Sequence, residues 1–513
     1  MIPAKLKWIR ISFPICEAKK ILFAIVILVF TFISGAFAEP IEADSSINFP
    51  PLALSGDTEI LLFTLQGSNT LGARLAPMWA KAYLEAKGVQ GVFVESLKTP
   101  NTYRVQGRFG SAKVYVDIHA HGSSTGFRGL LAKTADIAMS SRPIKPEEAA
   151  QLIARGNLRS AESEHVVAID GLAVIVNKSN YLHETTVDQV AQIFTGKIKN
   201  WKLLGGPDRL IRLYARDDNS GTFDTFQTLV LGNQYSLSAH AERFESNDEL
   251  SDRVATDSAG IGFVGLASLG DTKPLAISDK NSSSLKPEIL FVATEDYPLS
   301  RRLYLYTPTD SDNPYVQEFV GFAQGYLGQS LVEQVGFISQ NPRPLDSELS
   351  NGPENYLALA RISKRLSVNI RFQPNKAVID NKALQDIKRL ANYVRSINST
   401  NLEVAHSRSS KRIQLVGFSN LESSERRAEV LSRLRATAVK SELYRLGVTT
   451  ESVLGFGDSL PIANELGATS SKNDRVEVWI FDEEQLSAVN DIKHTISLSS
   501  RSVSDAKTLS NVP

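Results

Sequence analysis

The chain has 513 residues, 42% hydrophobic and 22% charged, with 56 basic and 56 acidic side chains, which is too long for one ordinary domain and long enough for two or three with full cores. Balanced charge gives no electrostatic footprint for nucleic acid. The one cysteine, Cys16, lies in the N-terminal segment, so the chain beyond it can form no disulfide, cysteine metal site or reactive thiol.

Taken in order, Lys5, Lys7, Arg10, Lys19 and Lys20 precede the uncharged run "ILFAIVILVFTFISGAFA", which closes on Ala36-Phe37-Ala38. This is the pattern of a signal peptide over residues 1–38, cleaved after Ala38, and its apolar core is short for a membrane span. Removing it takes five basic residues and one acidic, leaving 51 against 55. Cys16 precedes the apolar core, which excludes lipid attachment there. The mature chain is expected to be exported and soluble.

Over residues 58–345, strand-like runs ("LLFTL", "VYVDIHA", "DIAMS", "GLAVIVN", "RLYAR", "GIGFVGL", "LYLYTP") alternate with helical patterns. Such alternation predicts an α/β domain with largely parallel sheets. The stretch "NTYRVQGRFGSAKVYV" reads as a hairpin at an edge. His119 and His121 share a strand face with Asp117, a spacing that a solvated polar face explains better than a metal pair. Pro, Asn, Ser and Gly enrichment around "QNPRPLDSELSNGPEN" predicts a linker at 346–365. A compact α+β domain follows at 366–482. Leu384, Ile387, Ala391 and Val394 mark one of its amphipathic helices, and Leu431, Leu434 and Ala438 mark another, with Thr437, Ala438 and Val439 read as facing the core. The Ser-rich segment 483–513 is expected to be a mobile tail. No internal repeat is present.

Three small-polar turns each open a helix in the first domain: "GSNTL" from Gly67, "HGSSTG" from His121 and "RDDNSGT" from Arg216. Helix starts present unpaired N–H groups and the positive end of the dipole. Thr70, Ser123, Ser220 and Thr222 add hydroxyls beside them, although N-capping is the ordinary use of such residues. Arg216 raises the reading above capping, because a guanidinium fixed by Asp218 and aimed at these donors suits a tetrahedral oxyanion. No Ser/His/Asp arrangement or metal cluster near the turns would activate a nucleophile, so no enzyme activity and no cofactor are expected.

The successive segments "GSNTL", "GSSTG", "DIAMSSR", "TGKIKNW" and "RDDNSGT" resemble the signatures of PstS-type periplasmic phosphate-binding proteins, the receptors of ABC phosphate importers. The resemblance implies a type II fold of two α/β lobes on a double-crossing hinge, closing on inorganic phosphate. It implies ligation by Thr70, the Leu71 backbone, Ser123, Arg216, Ser220, Gly221 and Thr222, with Asp218 orienting Arg216. Ser141 stands where many members carry an aspartate that accepts the proton of hydrogen phosphate. A hydroxyl rejects a fully ionised anion less strongly than a carboxylate does, which opens the question of sulfate. Arg142 adds positive charge.

In the second domain, "IQLVGFSN", "LSRLRATAV", "GFGDSLP" and "NDRVEVWIF" resemble the peptidoglycan-binding domain of the OmpA family, of βαβαβ type. The resemblance implies that an aspartate and an arginine clasp the diaminopimelate of the wall peptide. Arg435 matches the arginine, Asn420 stands at the aspartate, and Asn473 and Arg475 match the closing motif, with Asp474 where a second arginine is frequent. Together the two resemblances imply a solute receptor tethered to peptidoglycan in the periplasm of a Gram-negative envelope, serving phosphate uptake or scavenging. The alternative is an envelope linker whose receptor fold has lost phosphate or binds another oxyanion.

Overall fold

The computed structural model describes residues 52 and 59–490, except 219, 233, 280–281, 347–351, 373–377, 404–409, 421–423 and 463–469. The expected signal peptide and the expected tail beyond 490 lie outside the described residues.

The first domain is built on strands β1 (Glu59–Gly67), β2 (Gln90–Ser96), β3 (Thr102–Phe109), β4 (Ala112–His119), β5 (Ile137–Ser140), β6 (Glu164–Val176), β7 (Glu184–Thr186), β8 (Arg212–Arg216), β9 (Glu242–Phe244), β10 (Gly260–Gly265), β11 (Lys273–Pro274), β12 (Ala276–Ser278) and β13 (Ser300–Tyr306). One sheet runs β2-β3-β4-β1-β5-β13-β6-β10-β8-β9, with β11 alongside β6, and β7 pairs with β12. The apolar run of β6 is buried from His165 to Val176 and takes the middle of the sheet. In β4, buried residues alternate with partly exposed ones, as a strand with one wet face requires. The edge hairpin forms as β3 and β4.

The sheet is mixed rather than largely parallel. β1 runs parallel to β4 and β5, and β8 to β9 and β10. The long strands β6 and β13, however, pair antiparallel with each other, with β10 and with β5. The central pair breaks the parallel order because the chain passes between the two halves of the sheet on strands running in opposite directions.

The second domain adds β14 (Pro344–Leu345), β15 (Lys364–Arg371), β16 (Lys411–Phe418), β17 (Leu454–Gly455) and β18 (Arg475–Asp482), ordered β14-β15-β18-β16-β17. Helices Asn381–Glu403 and Glu425–Arg445 pack on it. Of the face read for the first helix, Ile387, Ala391 and Val394 are buried in the core and only Leu384 is exposed; on the second helix Leu434 is exposed, and Ser432, Arg435 and Ala436 are buried instead. Thr437 is also exposed, while Val439 is in the core. The reason is close packing: a Cβ at Gly417 would lie 2.0 Å from the Ser432 carbonyl oxygen. Gly417 on the strand and Ser432 and Ala436 on the helix let the two approach so closely.

Two boundaries need correction. The expected linker 346–365 contains helix Glu354–Ile362 and the start of β15, and Tyr356 and Leu359 are buried in a second-domain core with Trp479 and Phe481. Fully buried Val489 joins that core, so the segment after 482 begins as packed structure. The Pro/Ser/Gly composition hid an amphipathic helix that has a place to dock.

The domains also share a buried polar interface. Asp296, just before β13, accepts from Arg365 (2.7 Å), Arg371 (2.8 Å) and Asn369 (2.9 Å) of β15. Arg302 of β13 donates to Glu295 (3.1 Å) and to Asp380 (3.0 Å), and Lys472 donates to the carbonyls of Tyr297 and Pro298 (both 3.0 Å). A freely swinging tether is therefore not what joins the two domains.

Candidate anion site and second-domain cleft

The three turns meet at the carboxyl ends of β1, β4 and β8, with β5 supplying a fourth segment. Ligand sites in α/β sheets form at such ends. Ser123 opens helix Ser123–Ala132, and Ser220 caps helix Gly221–Phe226 by accepting from the N–H of Thr222 (3.2 Å) and of Phe223 (3.4 Å).

Between these turns hydroxyls converge. Ser123 Oγ lies 3.3 Å from Ser141 Oγ and accepts the Ser141 N–H at 3.1 Å. Thr70 Oγ1 lies 3.4 Å from Thr222 Oγ1. Gly221 closes the gap between them, since a Cβ there would be 1.9 Å from Ser141 Oγ and 2.6 Å from Ser123 Oγ. Ser123, Ser141, Ser220 and Thr222 are all buried. Leu71 contributes its side chain to the core behind the first turn.

Arg216 is buried at the end of β8 and lines, with Asn69, Gly122, Ser220 and Glu245, a cavity of ≈ 320 Å³. Burial pushes its guanidinium down to about 10, against the pull of Asp217 and with a further contribution from the charge of Arg301. Such a group gains from an anion. The expected Asp218 contact is absent: Asp218 is exposed and pairs with Arg243, while Arg216 has an ion pair of 3.7 Å with Asp217. Arg216 donates instead to the carbonyls of Phe244 (3.1 Å) and Glu245 and to Asn247. The cause is register, because β9 lies beside β8 with Phe244 opposite Arg216 and so brings backbone acceptors where the carboxylate was expected.

Two groups that the motifs did not contain complete the site. Arg301 of β13 donates from Nη1 to Thr222 Oγ1 at 3.1 Å and is held by Asp170 of β6. The only trace in sequence was a lone carboxylate inside the apolar run of β6. Arg142 is occupied by Glu148, Asp224 and Ser124 rather than directed at the hydroxyls.

In the second domain two of the four expected residues, Asn420 and Arg435, meet on Asp474. Arg435 donates to Asp474 at 2.6 Å and to Ser419 at 2.9 Å, and the Asn420 N–H donates to the same carboxylate oxygen at 2.8 Å. Asn473 donates to the Asn420 side-chain oxygen at 3.1 Å. Arg475 stacks on Phe418, 3.8 Å to the ring centre, and donates to Glu477 at 3.0 Å. Asn420, Asn473 and Arg475 line a cleft with Ser419, Asp458 and Ser459. The carboxylate beside Arg435 thus comes from position 474, while 420 carries an amide.

Residues 99–325 match the family model of the PBP superfamily domain, and residues 371–475 match that of the OmpA family. The chain carries a PBP-superfamily domain followed by an OmpA-family domain. The PBP domain is similar to the phosphate-binding protein PstS of Borreliella burgdorferi, 28% identical over 229 residues, covering 44% of this chain and 79% of that one. It is also similar to the phosphate-binding protein PstS of Staphylococcus epidermidis, 29% identical over 239 residues, covering 45% and 71%. Among solved structures, an ABC-type phosphate transport receptor from Vibrio cholerae aligns with a TM-score of 0.42 at 24% identity, covering 54% of this chain and 99% of that one.

Proposed function

We propose that the PBP domain is an exported receptor for inorganic phosphate, and that the OmpA-family domain holds it to peptidoglycan in the periplasm of a Gram-negative envelope. The observation that carries the first half is the convergence of the Ser123 and Ser141 hydroxyls on Gly221 and of Thr70 on Thr222, with Arg216 lining a cavity beside Asn69, Gly122 and Ser220 of the same three turns. Helix-start N–H groups, hydroxyls and a buried guanidinium replace the water of a tetrahedral oxyanion. The relatives named PstS are described as phosphate-binding proteins, which favours phosphate within that class. Binding, not turnover, is the activity, and the receptor serves phosphate uptake, through an ABC importer, or scavenging at the wall.

Peptidoglycan attachment rests on the OmpA-family match and on the Asn420, Arg435, Asp474, Asn473 and Arg475 constellation, which sets both charges needed for the zwitterionic end of diaminopimelate in one place. The deciding experiment is calorimetric titration of the anion-stripped mature protein with phosphate and then sulfate. Phosphate should bind, and Arg216→Ala should abolish binding. Unchanged affinity in that variant would remove the site assignment. On isolated peptidoglycan the full chain should be retained, and Asn420→Asp should strengthen retention by adding a charge where an amide now stands.

A further inference from the structure

Beneath the third turn lies a buried ion pair that belongs to the middle of the sheet. Arg301 and Asp170 face each other in register across β13 and β6. Nε and Nη2 of the arginine both donate to Asp170 Oδ2, at 2.9 and 2.6 Å, and Asp170 Oδ1 accepts the Leu266 N–H at 3.1 Å. Both side chains are buried. Gly265 leaves room for them, since a Cβ there would come within 2.7 Å of Asp170 Oδ2 and 3.3 Å of Arg301 Nη2.

A buried pair of this kind costs desolvation that apolar residues of the same volume would not. Neutralisation of the arginine is complete with Nε and Nη2. The remaining nitrogen, Nη1, is directed at the anion site, to Thr222 Oγ1 (3.1 Å) and the Gly221 carbonyl (3.4 Å). A threonine hydroxyl has one proton and two lone pairs. A charged donor on one lone pair polarises the O–H, so the hydroxyl meets an incoming oxygen with its proton forward.

We infer that Arg301, oriented by Asp170, is a positioning residue of the anion site that sets Thr222 as a hydrogen-bond donor to a tetrahedral oxyanion. The inference rests on the phosphate-receptor reading and adds a residue that the turn motifs lack. It also places the third turn's hydroxyl under the control of β6 and β13, the strands that join the two halves of the sheet.

A double-mutant cycle on the full mature chain tests it, with phosphate affinity read by calorimetry and folding by thermal melting. Arg301→Lys keeps a positive charge for Asp170 but cannot reach both Asp170 and Thr222, and Thr222→Val removes the hydroxyl at nearly constant volume. Each single change should weaken phosphate binding about tenfold or more, and the double variant should bind within about twofold of Thr222→Val alone, because the two residues act through one hydrogen bond. Wild-type affinity in Arg301→Lys, or losses that multiply in the double variant, would overturn the role while leaving phosphate binding intact. If wild type itself binds no phosphate, the receptor reading fails and the inference with it. Should Arg301→Lys not fold, the neutral pair Arg301→Gln with Asp170→Asn replaces it in the same cycle, judged by the same two criteria.

Discussion

Gly221 is the residue on which the hydroxyl cluster turns. Its missing side chain leaves the space into which Ser141 Oγ and Ser123 Oγ project. In Gly221→Ala the new methyl, 1.9 Å from Ser141 Oγ, forces that hydroxyl to another rotamer and takes it out of the cluster. The variant should therefore lose phosphate affinity by about tenfold to a hundredfold, the cost of one hydrogen bond to a charged group. It should match Ser141→Ala, and the double variant should be no worse than either. Titration calorimetry on the three proteins checks this, and a multiplied loss in the double variant would contradict it. Residues of this cluster were legible in sequence because each lies within a short turn whose chemistry is local. The Arg301–Asp170 pair was not, because its members are 131 positions apart and only strand pairing joins them. Asp218 was misread for the same reason: the groups that hold Arg216 come from Phe244, Glu245 and Asn247, more than two dozen residues away.

At the level of elements, β6 and β13 carry both the Asp170–Arg301 pair at the site and a pH response. His165 of β6 is buried, with Nε2 at 2.9 Å from Thr307 Oγ1, just beyond β13. Burial pushes its imidazole down to about 4. The folded chain thus keeps His165 neutral where the unfolded chain protonates it near the ordinary value of about 6.5. Stability from this group is complete above that value and is lost as pH falls through the interval from about 6.5 to about 4, by up to about 3 kcal/mol. His165→Gln retains a partner for Thr307 without the titration. Urea unfolding at a series of pH values should show the wild type losing stability across this interval more steeply than the variant. Parallel curves would mean that His165 does not stay neutral in the fold. Most strands were legible as apolar runs of strand length, whereas their directions were not, because alternation with helices does not reveal that the two central strands run oppositely. The two second-domain helices were also legible, and so was most of the first one's buried face in Ile387, Ala391 and Val394; the second one's was not, since its close approach to β16 puts Ser432 and Ala436 against the strand and leaves Leu434 outside.

The whole molecule depends on the interface between its domains. Composition suggested two independent bodies on a flexible connector, and such domains would unfold separately. Asp296 instead lies fully buried among Arg365, Arg371 and Asn369. Burial alone would raise its carboxyl, but Arg365 and Arg371 outweigh that and hold it below the ordinary value. The network extends through Arg302, Glu295, Asp380 and Lys382, so the segment leading into β13 is gripped by the OmpA-family domain one residue away from Arg301. Removing one member of a buried ionic group leaves the others uncompensated, at about 3–5 kcal/mol. In Asp296→Asn, Arg365 and Arg371 lose their shared carboxylate while the shape of the interface is kept. Scanning calorimetry of the wild type should show the two domains unfolding in one transition. In Asp296→Asn that transition should move to lower temperature and separate into two, because each domain retains its own core while the contact that couples them is weakened. Two resolved transitions already present in the wild type would show that the interface does not couple the domains. Coupling bears on the proposed function: if the OmpA-family domain is held to the wall, the grip on β13 gives the anion site of the first domain a fixed orientation to it, which a chain swinging on a linker would not do.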